Sequence, residues 1–469
     1  VNVHLVLLVV YSILQIALGL FIGRRVKGAG DFFVAGRALG PGLLFATFVA
    51  ANIGAGSTVG AAGLGYRDGL AAWWWVGSAG LGSLVLAFTV GPRIRRLAAR
   101  HDLRTVGDYL EHRYGRAVRG TIAVLLWLGT LAILAGQLIA LAWVLNVVAG
   151  LPKYVGCLVG GLVMTAYFTA GGLLTSAWVN LVQLVVMMAG FALALPWALA
   201  RAGGLGALVV AAPATPSSGS LWESGGSSWM YLAMLGPAFV ISPGLLQKIY
   251  GARNDRTVRL GVAANAAVLL LFAFIPPLLG MAARALHPSL DNRELALPTV
   301  LMLDLPPALG ALGLAAVVSA EISSADAILF MLATSLSQDL YRRFLRPRAD
   351  DREVLRVARL AAVAGGTAGV ALAMVSPSVI GVLSLFYTVL SVCLFVPVVA
   401  GLYLRRAGTP EALASIAAGM VTVVAVQLGT GGRGLGGWSP ALLALLAAGA
   451  GGLGVGLVRR GPAPAGQGA

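Results

Sequence analysis

The stretch FVAANIGAGSTVGAAGLGY, residues 48–66, reads as a membrane helix that cannot stay whole. Its flanks are apolar, but Asn52 to Thr58 sets Gly54, Ala55 and Gly56 among Asn52, Ser57 and Thr58. In lipid every backbone polar group needs a partner, so irregular backbone at membrane depth marks a protein-lined cavity. A second such stretch, MLGPAFVISPGLLQK at 234–248, carries Pro237 and the triplet Ser242-Pro243-Gly244. Proline removes a helix hydrogen bond and clashes with the preceding turn. Either segment alone also fits ordinary glycine-mediated helix packing. Together, five spans apart, they point to a transporter built of inverted repeats.

Apolar runs of bilayer length extend outward from these two segments along the whole chain. Of the 469 residues, 59% are hydrophobic and 11% charged, where a soluble protein carries about 25% charged. Mean hydropathy is +0.90. The reading is an all-α polytopic membrane protein, a single transmembrane domain over 1–469. About thirteen spans are expected, near 3–23, 42–65, 70–92, 120–149, 154–170, 175–200, 229–248, 260–282, 308–337, 358–376, 380–404, 411–429 and 440–458. With the N-terminus outside, 27 of the 33 basic residues fall in inside loops: Arg24 to Arg37, Arg93 to Arg119, Lys248 to Arg259, Arg342 to Arg359, Arg405–Arg406 and Arg459–Arg460. Only Arg67, Lys153, Arg201, Arg284, Arg293 and Arg433 fall outside. The positive-inside rule expects this asymmetry. It places a multi-pass protein in the plasma (inner) membrane with a cytoplasmic C-terminus.

The net charge of +16 sits in short patches between apolar runs, which argues against a nucleic-acid partner. Cys157 and Cys393 lie in apolar runs without metal or disulfide spacing, and His4, His101, His112 and His287 form no metal motif. The first run lacks a basic leader and a cleavage site, so it reads as a retained helix.

The ninth span, SAEISSADAILFMLATSLSQDLY at 319–341, supplies the chemistry. At 100° per residue, Ala320, Ser323 and Ser324 share one face, flanked by Glu321 on one side and Asp326 on the other. An ionised side chain inside a membrane must face a cavity or a partner. Hydroxyls on one face, with carbonyls from a broken neighbouring helix, suit a hard cation. Alternatively the serines bond back to their own helix.

Here the chain resembles the sodium/solute symporter family over about 30–430. The matching stretches are DFFVAGRALG (31–40), AANIGAGSTVGAAGLGYRDGL (50–70), TVGDYLEHRYG (105–115), YFTAGGLL (167–174), SPGLLQKIYGAR (242–253) and the ninth span. The resemblance implies a leucine-transporter-type fold of two inverted five-helix repeats, at 41–201 and 228–404. An accessory first helix (1–30), accessory helices at 411–460 and a flexible tail (461–469) would complete it. It also implies a sodium ion held by Ala50, Ile53, Ala320, Ser323 and Ser324. The family often has Asp in the sixth span; this chain has Asn180. A second sodium site there is not expected, and Asp326 or Glu321 would be the acidic group that couples.

By position Ser57 and Phe239 match a pocket glutamine and a gate aromatic of the sugar-transporting branch, and Val389 matches a further glutamine, so a sugar is not expected. Candidate solute-facing residues are Asn52, Gly54, Ser57, Thr58, Trp73, Gln137, Phe239 and Ser242. Trp73 lines a cation–π pocket, or with Trp74 and Trp75 forms an interfacial belt. The expected function is sodium-coupled import of a small organic solute by a monomer or weak homo-oligomer. A proton-coupled or uncoupled carrier using Asp326 or Glu321, and a solute sensor without transport, are the alternatives. No nucleophile–base pair points to an enzyme.

Overall fold

A computed structural model describes residues 3–23, 39–169, 173–210, 219–222, 228–432 and 434–459. The expected loop of Arg24, Arg25, Lys27 and Arg37, most of DFFVAGRALG, residues 170–172 of YFTAGGLL, Arg433, Arg460 and the expected tail 461–469 lie outside the described residues.

Each apolar run is helical over most of its described residues. Among the described residues ten helices are long and apolar enough to cross a membrane, and Val3–Gln15, Pro41–Asn52 and Lys153–Thr165 are shorter apolar helices. The run at 48–66 breaks as its composition demands. Pro41–Asn52 stops at Ile53, whose φ of −97° and ψ of 103° are extended. Helix resumes through a wide turn at Gly56–Gly60 and continues as Ala61–Asp68. Gly69 then turns the chain with φ +69°, a left-handed value that costs glycine nothing.

The second break is narrower than expected. Pro237 lies inside the helix Tyr231–Ile241. Only Ser242 interrupts, with φ −52° and ψ 122°, before Pro243–Tyr250 begins. Pro243 opens a helix, where a missing N–H leaves nothing unpaired. Pro237 instead has neighbouring helices around it, which membrane proteins tolerate.

Packing between the two halves is reciprocal. The first broken helix packs Pro41–Asn52 on Asp255–Phe272 and Ala61–Asp68 on Ile275–Leu286; the second packs Tyr231–Ile241 on Trp73–Val85. Leu173–Arg201 packs on Pro307–Thr334, and Arg116–Ala149 on Val379–Leu390. In each half the first helix meets the other's second, and the fifth meets the other's third. The helix with Ser323 and Ser324 is the centre, 89% of its apolar window being buried, against 17% for Pro440–Val458. Fully polar residues such as Ser319, Glu321 and Ser323 can therefore sit at 0% exposure in it.

Candidate functional site

The break and the central helix meet through oxygen atoms. Ser323 Oγ lies 2.8 Å from Ala50 O and 3.1 Å from Ala320 O. Ser324 Oγ lies 3.3 Å from Ala50 O, 3.3 Å from Ala51 O and 3.0 Å from Ile53 O. A hydroxyl has one proton to donate. Two serine protons therefore serve five close oxygen contacts, and the remaining lone pairs face one another. A small hard cation relieves that arrangement, since it takes carbonyl and hydroxyl oxygens together. Ala50, Ile53, Ala320, Ser323 and Ser324 are thus brought together, and Ala51 joins them, which the sequence did not single out. Ser323 does reach its own helix at Ala320, but among the described residues Ser324 bonds across to the broken segment.

Gln137 supports the break from outside. Its Oε1 accepts from the Ala55 backbone N–H at 2.8 Å, filling a valence the interrupted helix leaves open. Gly54 is forced here: a Cβ would overlap Ser324 Oγ and come 2.7 Å from Gln137 Oε1.

A cavity opens beside the cluster. Asn52, Gly54, Ser57, Gln137, Phe239 and Ser324 line it, with Trp75, Leu235, Leu383 and Tyr387. Asn52 Nδ2 donates to Asn265 Oδ1 at 3.1 Å, and Ser57 Oγ donates to Asn52 O at 2.8 Å. The rings of Trp75 and Tyr387 are 6.2 Å apart, and those of Phe239 and Tyr387 5.6 Å. Three expected solute contacts do not reach it. Trp73 donates to Leu270 O at 3.3 Å and packs on Phe274 and Trp74. Two residues further along the same helix, Trp75 is turned to the cavity instead. Ser242 forms the second break and lines no part of it. Thr58 turns away to Glu321, its Oγ1 2.8 Å from Oε1.

The acids have different surroundings. Glu321 is fully buried, and among the described residues its Oε2 has no hydrogen-bond partner. Asp326 is 4% exposed and faces the charge of Lys248. Lys248, read from sequence as a loop residue, is 3% exposed and donates to Thr47 O at 3.0 Å. Every residue of its half-helix Pro243–Tyr250 is buried, so hydropathy alone misplaces it. Asn180 is fully buried. One turn away Gln183 donates to Gln15 Oε1 at 2.7 Å, and Gln15 leads through Tyr11 to Ser319. Tyr11 and Gln15, spaced i and i+4 in an apolar helix, were a legible signal that the sequence reading passed over.

Arg119, also read as a loop residue, is 5% exposed. It binds Asp339 Oδ1 at 2.7 Å, Asp108 Oδ1 at 2.8 Å and Glu111 Oε2 at 2.9 Å. Thr105 Oγ1 donates to Asp339 at 2.6 Å. The motif TVGDYLEHRYG is thereby locked onto SLSQDLY. Burial pushes the Glu111 carboxyl up, but hydrogen bonds and charge from Arg343 and Arg119 outweigh it and hold Glu111 below the usual carboxylate range.

Residues 32–419 match the sodium:solute symporter family. The chain is 24% identical over 453 residues to the high-affinity choline transporter 1 of Caenorhabditis elegans, covering 89% of this chain and 76% of that one. It is 27% identical over 442 residues to the sodium/pantothenate symporter of Escherichia coli (strain K12), covering 88% of each. A Na+-coupled sialic acid symporter in a substrate-bound, outward-open state superposes with a TM-score of 0.82 at 17% identity, over 97% of this chain and 98% of that one.

Proposed function

The chain belongs to the sodium:solute symporter family, a family of membrane transporters and not enzymes, and from that premise we propose that one sodium ion binds among Ala50, Ala51, Ile53, Ala320, Ser323 and Ser324. The observation that carries this reading is the set of five oxygen contacts sharing two serine protons. Sodium fixes the broken helix against the central helix. The solute then occupies the adjoining cavity between Asn52, Gln137 and the rings of Trp75, Phe239 and Tyr387. No charged side chain lines that cavity among the described residues, so a small organic solute with an apolar body and a few hydrogen-bonding groups suits it.

The reciprocal packing of the two halves supports two inverted five-helix repeats over 41–201 and 228–404. The distribution of basic residues supports thirteen spans with the N-terminus outside. Rocking of one bundle against the other exposes ion and solute alternately to the two sides. Each sodium ion gains about 2.3 kcal/mol per 100 mV of membrane potential, and a tenfold ion gradient adds about 1.4 kcal/mol. One ion per cycle therefore supports a solute gradient of roughly a few hundredfold.

A metabolite screen by thermal shift, with sodium and with a cation that does not bind, identifies the solute. Uptake of that solute into proteoliposomes, with and without a sodium gradient at matched pH, tests the coupling. Equal uptake in both overturns it. Proton coupling is the second reading, and Glu321 favours it, because an ionisable side chain buried inside a membrane span with one hydroxyl partner marks an ion or proton pathway.

A further inference from the structure

Lys248 is a buried ammonium with no part in the sodium cluster or the solute cavity. It stands on the half-helix Pro243–Tyr250, with Nζ on the carbonyl oxygen of Thr47 at 3.0 Å. Asp326, on the central helix, faces it electrostatically. Thr47 precedes Ala50 by three residues and Asp326 follows Ser323 by three. About one helical turn thus separates the pair from the sodium cluster along both elements. It lies on the side where Leu39 meets Gly251, which is the cytoplasmic side in the orientation argued above. The half-helix presses on the central helix closely enough that a Cβ on Gly244 would come 2.6 Å from Met331 Sδ. The break at Ser242 separates it from Tyr231–Ile241, giving it a pivot of its own.

Resting on the sodium site above, we propose that Lys248 is a tethered cation that closes the cytoplasmic exit of that site, competing with the departing ion for Asp326 and the Thr47 carbonyl. Both positions offer hard oxygen atoms, which suit sodium as well as an ammonium. Two like charges do not share so small a buried space. While Lys248 is seated, its charge offsets that of Asp326 and its Nζ occupies the Thr47 carbonyl. When the half-helix pivots away, the uncovered carboxylate and carbonyl draw the ion one turn towards the cytoplasm. Lys248 is in these terms a positioning residue for ion release, acting through Asp326.

The test uses the full chain, first in detergent for equilibrium binding of radiolabelled sodium, then in proteoliposomes for its release. Lys248→Met leaves Asp326 uncompensated, so sodium binds on the order of tenfold tighter and leaves more slowly. Asp326→Asn leaves the ammonium uncompensated, so sodium binds on the order of tenfold weaker. The double variant returns to within about threefold of the starting protein, as a pairwise coupling requires. Lys248→Arg, which keeps the charge, retains the original affinity. Loss of packing alone cannot tighten sodium binding, so opposite shifts in the two single variants are the signature. Lys248→Gln, which keeps a donor for Thr47, replaces the methionine variant if that one does not fold. Shifts in the same direction, no shift in either, or a double variant that keeps one single-variant shift overturns the proposal. Failure of the sodium site itself reads differently, because the unsubstituted protein then binds no radiolabelled sodium.

Discussion

Ser324 Oγ lies 3.0 Å from the carbonyl oxygen of Ile53, the residue at which the first half of the broken helix ends. That carbonyl has no helical N–H four residues on, because the chain has left the helix. The hydroxyl and the open carbonyl therefore face each other across two separate elements, the broken helix and the central helix. Ser324→Ala removes one ligand and leaves the rest in place. The sodium concentration for half-maximal uptake should rise about tenfold, the equivalent of one charge-assisted contact. An unchanged sodium dependence would count against the site.

The tryptophan run separates binding from anchoring within one turn. Trp75 lines the cavity and contacts the Tyr231 ring edge-on at 5.1 Å, whereas Trp73 bonds Leu270 and packs away from it. Trp75→Leu should weaken solute binding on the order of tenfold while sodium binding alone is kept, since burial against rings is worth about 1–2 kcal/mol. Trp73→Leu should lower the melting temperature with solute affinity unchanged. Equal loss of affinity in both variants would put the solute elsewhere.

The contrast between these two residues shows where the sequence stops being informative. Which elements break, and where, follows from glycine, proline and polar residues inside apolar runs, and so does the face carrying Ser323 and Ser324. Periodicity along one helix determines that much. Which of three consecutive tryptophans turns inward depends on helix rotation, and that is decided by neighbours hundreds of residues away. Lys248 and Arg119 were misread for a related reason. A charge at the end of an apolar run looks like a loop residue until its buried partners are known, the Thr47 carbonyl for Lys248 and the carboxylates of Asp339 and Glu111 for Arg119. Gln137 is legible only in part, because an amide in an apolar helix announces a buried partner but not that the partner is the Ala55 N–H.

The ion cluster around Arg119 should make stability fall on acidification. Glu111 is held below its ordinary range, chiefly by Arg343 and Arg119 against the opposing effect of burial. A carboxyl of that kind contributes stability fully present above its unfolded value of about 4.3. The contribution is lost as pH falls through the lower folded value. Glu111→Gln should lower the melting temperature at neutral pH and flatten its decline below about pH 4. A parallel curve, merely displaced, would mean that other carboxyls govern acid stability.

Glu321 decides between the two coupling ions. Its Oε1 meets Thr58 Oγ1 at 2.8 Å, and Thr58 Oγ1 also lies 3.0 Å from Gly54 O at the break. The carboxyl is therefore linked to the same segment that Ser323 and Ser324 contact, one residue beyond the Ala320 carbonyl. If sodium alone drives uptake, Glu321→Gln preserves the shape and the hydrogen bond to Thr58. Uptake then keeps its sodium dependence within about threefold, because the amide keeps the side-chain volume and an oxygen acceptor for Thr58. If a proton is carried, the same substitution abolishes uptake driven by a pH gradient while leaving solute binding intact. Uptake by Glu321→Gln proteoliposomes under a sodium gradient at uniform pH, and under a pH gradient without sodium, separates the two. The sodium-driven outcome is expected, since four serine–carbonyl contacts between the break and the central helix, with a fifth to the Ala320 carbonyl, offer oxygen atoms suited to a cation without this carboxyl.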